Sequence, residues 1–223
     1  MKFTYSFTLI LFLGLLGTAC KNHRTHASGE DAVAYNRYGM DTSKGLPSGL
    51  NVGDIAPDFT YHINGETQSL KQTLEEGPVM LMFYRGYWCP VCNRYMKSIE
   101  DSLAMVRARG VRVLAVAPEL QEYSEKTKSQ SGTSLDLISD TANQIIDAYD
   151  VRFTTTEKYQ LRIQVGLMKS IEETNGGSND LPVPATYLIG TDQKIFFRHF
   201  NPDYRHRASI REIVEALDQK AGH

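Results

Sequence analysis

The sequence predicts an α/β fold with crossover helices. Three observations carry it. Continuous apolar runs recur along the chain, as strands covered on both faces require. Amphipathic stretches at helical spacing alternate with them. A Cys-x-x-Cys pair, Cys89-Pro90-Val91-Cys92, lies where the first of these runs passes into the first of these helices.

The elements follow in order. Val79-Met80-Leu81-Met82-Phe83-Tyr84 is the first buried strand. Residues 91–109 then place Tyr95, Met96, Ile99, Leu103 and Val106 on one helical face, and Gly110 supplies the C-terminal cap. Val111–Ala117 is the second buried strand, and Pro118 suits the first turn of a helix running to about Gln130. Leu135–Ile138 is a short strand, after which Asp140 caps a helix carrying Ile145, Ile146 and Tyr149. Thr186–Ile189 and Ile195–Phe200 form a hairpin around Gly190-Thr191-Asp192-Gln193. A last helix, about Ser209 to Gln219, turns Ile210, Ile213, Val214 and Leu217 to one side. Between these blocks, residues 152–180 read as an insertion, with a helix over about 157–172 and a loose Gly- and Asn-rich end. It either covers the site or decorates the surface.

The chain has 223 residues, and about 170 of them, from Leu50 to Ala221, belong to the folded unit; that length holds one core and not obviously two. Lys and Arg number 24 against 26 Asp and Glu, with no basic run, which argues against nucleic acid as a partner. No internal repeat or low-complexity tract is present.

The N-terminus has a different character. Met1-Lys2 precedes an apolar run, Phe7 to Leu16, which suits a signal peptide and is too short to span a bilayer well. Small residues Gly17, Thr18 and Ala19 then lead to Cys20. Residues 1–20 thus resemble a bacterial lipoprotein signal, with Gly17 where Leu is usual. That resemblance implies lipid on Cys20, export, and a membrane-anchored domain facing the periplasm. Ordinary secretory cleavage and an uncleaved anchor are the alternatives, and both also place the domain outside the cytoplasm. Residues 21–49 are polar and read as a flexible tether, His23 and His26 included.

The chemistry concentrates at Phe83–Cys92. Cys20, Cys89 and Cys92 are the only cysteines, and neither a second Cys-x-x-Cys nor a His-x(3–5)-His pair completes a zinc site. A helix N-terminus carries partial positive charge and favours a thiolate. The pair therefore reads as a thiol redox site, without a cofactor. Two inert buried thiols and a metal-delivering module are the competing readings. Trp88 shields one side of the sulfur or is simply core. Arg85 is the nearest cation in sequence, a candidate to support a thiolate or a surface ion-pair partner; Arg198 and Arg205 are weaker candidates.

Together these motifs resemble the peroxiredoxin-like branch of the alkyl hydroperoxide reductase/thiol-specific antioxidant family, within the thioredoxin-fold superfamily. Val52-Gly53-Asp54-Ile55-Ala56-Pro57-Asp58-Phe59 is similar to its opening strand, and Phe83–Gly86 with Trp88–Cys92 to its redox motif. Leu181–Tyr187 resembles the segment holding the cis-proline loop, and Asn201-Pro202-Asp203-Tyr204 the end of its hairpin. The resemblance implies a thioredoxin-like fold with a central mixed sheet flanked by helices. It implies a cis bond before Pro184, with the backbone of Val183 free to pair with an extended substrate. It also implies hydroperoxide reduction through an accessible Cys89. Cys92, one turn in and buried, then resolves the product to an intrachain disulfide that a thioredoxin-like donor reduces.

One departure stands out. Typical members place Thr or Ser three residues before the reactive cysteine, with Pro three before that; here Gly86 and Phe83 hold those positions. The hydroxyl that helps hold a peroxide is missing. Peroxidase activity therefore rests on the resemblance, and dithiol–disulfide exchange, on protein disulfides or thiols outside the cytoplasm, rests on the residues. The substrate, donor and oligomeric state are not legible.

Overall fold

The computed structural model describes residues 34–222 except residue 64. The signal, Cys20, His23, His26 and most of the tether lie outside the described residues. At the centre is a five-stranded mixed sheet. Its strands are β3 (Val79–Phe83), β4 (Arg112–Ala117), β5 (Asp136–Ser139), β8 (Ala185–Ile189) and β9 (Ile195–Phe200), in the order β5-β4-β3-β8-β9. β3, β4 and β5 run parallel, whereas β8 is antiparallel to both β3 and β9.

Period-two alternation divides the core between the faces of this sheet. Met80 and Met82 face one apolar cluster with Val113, Ala115 and Leu188; Val79, Leu81 and Phe83 face the other with Leu114, Val116 and Tyr187. Helices cover both sides. On the first are α2 (Pro90–Asp101), α3 (Leu103–Arg107) and α8 (Ile210–Ala221), which bury Met96, Ile99, Val106 and Ile213. On the second are α1 (Leu70–Glu76) and α5 (Gln144–Ala148), which bury Leu70, Leu74, Ile145 and Ile146. α4 (Gln121–Ser131) connects β4 to β5.

Several expectations are corrected in detail. The helix expected over 91–109 is two helices. Ser102 leaves helical geometry with its N–H bonded to the Ile99 carbonyl, and the same apolar stripe continues through α3. The opening segment 52–59 is not a strand. It meets the start of β9 through the Ile55–Lys194 bridge and a bond from the Gly53 N–H to the Ile195 carbonyl, and the first hairpin is instead β1 (Thr60–Ile63) with β2 (Glu66–Ser69). The helix expected from Pro118 starts at Gln121, because Glu119 is drawn into the core. Asp140 does cap α5, accepting from the N–H groups of Gln144, Ile145 and Ile146 at 2.9 Å each.

Residues 40–49, expected to be tether, pack on the domain: Met40 and Leu46 are buried and Met40 bridges Thr155. The 152–180 stretch is folded rather than loose. β6 (Arg152–Thr154) pairs with β7 (Asp180–Pro182) at its base, enclosing α6 (Glu157–Leu167) and α7 (Ile171–Thr174). Met168, in left-handed geometry, ends α6 short of the expected 172.

The bond before Pro184 is trans, since no cis peptide occurs among the described residues. The Val183 N–H is also not free for a substrate, because it donates to the Val151 carbonyl at 2.7 Å. That bond extends the β6–β7 pairing by one step and leads the chain straight into β8.

Candidate dithiol site

The site begins where β3 leaves the sheet. Tyr84 still donates its N–H to the Val116 carbonyl, and the chain then turns through Arg85–Trp88. Gly86 has a φ of 131°, and a Cβ there would stand 2.8 Å from the Trp88 indole nitrogen, so only glycine fits this turn. The Cys89 N–H donates to the Gly86 carbonyl at 3.0 Å, which closes the turn and delivers Cys89 to the N-cap of α2. Pro90 occupies the first helical turn, where its missing N–H costs nothing. The Cys89 sulfur accepts the Cys92 N–H at 3.3 Å. The helix N-terminus thus gives this sulfur one of the donors that would otherwise lack an intrahelical partner.

Cys89 and Cys92 are joined as a disulfide with Cα atoms 5.3 Å apart, within the range such a bond spans. They are 2% and 1% exposed. Trp88, Tyr87 and Val183 belong to the same apolar cluster as both sulfurs. The accessible Cys89 expected of the reduced protein is therefore not what the disulfide form presents: the oxidised pair is sealed.

One arginine reaches this sealed pair, and a second is buried in the loop that precedes it. Arg207 places Nη2 3.3 Å from the Cys92 sulfur, and its Nε donates to the Tyr204 carbonyl at 2.8 Å. Burial pushes its guanidinium down to about 10, so it remains a cation at neutral pH. Arg85 is the largest fully buried side chain among the described residues. Its guanidinium lies 4.0 Å from the ring centroid of Tyr204 and 5.1 Å from those of Trp88 and Tyr159. Burial pushes it down to about 9; Tyr204 opposes this and Arg207 adds to it. Among the described residues, the Nε and Nη2 of Arg85 and the indole Nε1 of Trp88 have no hydrogen-bond partner. Three buried donors without an acceptor form an electropositive lining, held by aromatic faces instead of carboxylates.

Glu119 completes the loop. It is fully buried at the carboxyl end of β4 and accepts from the Tyr84 hydroxyl at 2.6 Å, the Tyr87 N–H at 2.7 Å and the Thr127 hydroxyl at 3.0 Å. Burial raises its carboxyl above the ordinary range, and these three donors pull it back.

Of the residues expected from sequence, Arg85, Trp88, Cys89 and Cys92 come together on one loop and one helix start. Val183 packs in their cluster, and Pro184 is buried at the head of β8. Arg198 and Arg205 are engaged elsewhere: Arg198 donates to the Ser48 carbonyl, and Arg205 pairs with Asp203 at 2.7 Å. Sequence reasoning missed Arg207, Glu119 and Tyr204. For Glu119 a signal existed, since functional groups in α/β sheets gather at the carboxyl ends of parallel strands. Among the described residues no group of three or more His, Cys, Asp or Glu side chains is placed to hold a metal ion.

A mixed sheet with helices on both faces, carrying a dithiol at the start of the helix after its central strand, defines a thioredoxin-like protein. The chain belongs to the AhpC/TSA family, whose model matches residues 52–198. It is 32% identical over 123 residues to the thiol-disulfide oxidoreductase ResA of Geobacillus kaustophilus, covering 54% of this chain and 68% of that one. To ResA of Oceanobacillus iheyensis it is 29% identical over 153 residues, covering 65% and 62%. Among solved structures, the peroxidoxin BcpB of Mycobacterium tuberculosis matches with a TM-score of 0.59 at 17% identity, covering 76% of this chain and 97% of that one. At that identity the likeness speaks for the fold alone.

Proposed function

We propose that this protein is a thiol–disulfide oxidoreductase in which Cys89 and Cys92 cycle between dithiol and disulfide. The observation that carries this reading is the Cys89–Cys92 disulfide at the N-terminus of α2. The ResA relatives support it, and so does the missing peroxide-binding hydroxyl.

In the reducing direction, the Cys89 thiolate attacks one sulfur of a target disulfide, and the other target sulfur leaves as a thiolate and takes a proton. Cys92 then attacks the Cys89 sulfur of the mixed disulfide. The second target thiol departs, and two electrons have passed to the target. An external thiol donor of thioredoxin type returns the Cys89–Cys92 bond to two thiols. The Arg207 cation beside Cys92 favours the thiolate form of the resolving sulfur, which is the attacking species.

Arg85 favours a second reading. A hydroperoxide would transfer its distal oxygen to the Cys89 thiolate and leave as an alcohol, and Cys92 would condense with the sulfenic acid to expel water. The unpartnered Nε and Nη2 of Arg85 suit charge developing on peroxide oxygens. Arg85→Ala is accordingly expected to slow peroxide reduction by about 10²-fold, and disulfide exchange much less once both rates are corrected for thiolate fraction. Stopped-flow rates with hydrogen peroxide and with a small disulfide, each against a measured thiol titration, decide this. Equal losses in both reactions would remove Arg85 from any peroxide-specific role.

We also infer export with lipid on Cys20 and the domain facing the periplasm. The sequence of residues 1–20 supports this, and no helix among the described residues is long and apolar enough to cross a membrane. Cys20→Ser is expected to release the protein from the membrane fraction of a bacterial host; retention there would point to an uncleaved anchor instead.

A further inference from the structure

α6 is apolar on two sides. Its inner stripe, Tyr159 and Ile163, is buried in the core. A second stripe at spacing i, i+4, i+7 faces outward: Leu161, Val165 and the capping residue Met168 are 60%, 73% and 88% exposed. Large aliphatic side chains this exposed and this close together mark an interaction surface. Lys158, Arg162 and Lys169 flank the stripe, against one acidic residue, Glu157, over residues 157–169. The same helix forms a wall of an open groove of about 770 Å³ whose other wall holds Asn36 and Arg37. The 33 residues of sequence that precede residue 34, with the apolar run Phe7–Leu16 and Cys20, therefore join the fold at this groove.

We propose that the groove face of α6 docks on a bilayer surface bearing anionic headgroups. Aliphatic side chains bracketed by Lys and Arg are the composition that seats a helix at the headgroup–acyl boundary. The cations match phosphate-bearing lipid, and residues 34–37 place the chain leading back toward Cys20 at the same edge. A second copy of the chain is the weaker occupant, because it would set Arg37, Lys158 and Arg162 against their own counterparts. Docking here has a consequence for the dithiol. The Tyr159 ring lies between the two surfaces, with its centroid 4.6 Å from the Arg162 guanidinium and 5.1 Å from that of Arg85. The redox loop then operates one side chain away from the membrane surface.

The test is hydrogen–deuterium exchange of the full chain reconstituted in vesicles of phosphatidylglycerol mixed with phosphatidylethanolamine, and in vesicles of phosphatidylcholine alone. Backbone exchange over residues 157–169 is expected to slow by about tenfold in the anionic vesicles relative to the zwitterionic ones. The triple variant L161S/V165S/M168S is expected to lose this slowing while exchange in β3 and β8 stays as in the parent, which shows that the fold is kept. K158Q/R162Q, which leaves the apolar stripe intact, is expected to reduce the difference between the two vesicle types. Equal exchange in both vesicle types overturns the proposal, as does slowing that survives the triple substitution. Slowing that follows protein density at fixed lipid in both vesicle types also overturns it, in favour of a second copy.

Discussion

Replacing Cys89 with serine is expected to lower turnover of a disulfide substrate by at least about 10³-fold, the scale of losing a reaction's nucleophile. Cys92→Ser is expected to behave differently. Its first attack remains, since Cys89 still lies at the helix start, but nothing resolves the product, and a mixed disulfide with the substrate accumulates. The asymmetry follows from position. The Cys89 sulfur sits at the N-cap of α2 and accepts the Cys92 N–H, whereas the Cys92 sulfur lies one turn in with Arg207 against it. Mass spectrometry of each variant after reaction with a disulfide-bearing peptide checks the assignment. Stable adducts on Cys92 of the Cys89→Ser variant, with none on Cys89 of Cys92→Ser, would exchange the two roles.

Glu119→Ala is expected to destabilise the protein by about 3 kcal/mol or more, because it leaves three buried donors with no acceptor and each such donor costs about 1–3 kcal/mol. Those donors are the Tyr84 hydroxyl, the Tyr87 N–H and the Thr127 hydroxyl. Glu119→Gln keeps an oxygen in the same place and is expected to cost markedly less. The loss extends to function, since the Tyr87 bond is what ties the redox loop to the end of β4. Urea denaturation of the oxidised protein and its variants measures the stability, and the exchange rate of the same samples measures the loop. If the alanine variant were as stable as the parent, water would already satisfy these donors and Glu119 would not be a structural clamp.

Legibility in the sequence tracked how local each feature is. β3 and β4 were plain because burial on both faces leaves an unbroken apolar run that polar residues seldom interrupt. The β1–β2 hairpin escaped because its strands, Thr60-Tyr61-His62-Ile63 and Glu66-Thr67-Gln68-Ser69, are mostly polar and bury almost only Tyr61. The break at Ser102 was invisible because Met96, Ile99, Leu103 and Val106 keep one spacing through both helices. Residues 40–49 read as tether because Met40 and Leu46 stand alone in a polar background, and only the fold shows what they cover. The site divides in the same way. Arg85 to Cys92 form one stretch and were recognised together. Arg207 meets Cys92 across 115 positions and Glu119 meets Tyr87 across 32, and no local pattern marks either contact. Pro184 shows the converse: the segment matched in sequence, yet its bond is trans and the Val183 N–H beside it is taken by Val151.

We propose Cys89 and Cys92 as a reversible dithiol specialised for exchange with disulfides. The most direct test mixes fully reduced protein with a small disulfide or with hydrogen peroxide at equal concentrations and times the loss of both thiols. Exchange with the disulfide is expected to be the faster reaction, and both oxidants are expected to yield an intrachain Cys89–Cys92 bond on non-reducing peptide maps. Faster consumption of the thiols by peroxide would contradict the claim and restore the peroxidase reading, and products linked only between chains would remove Cys92 as the resolving residue in either.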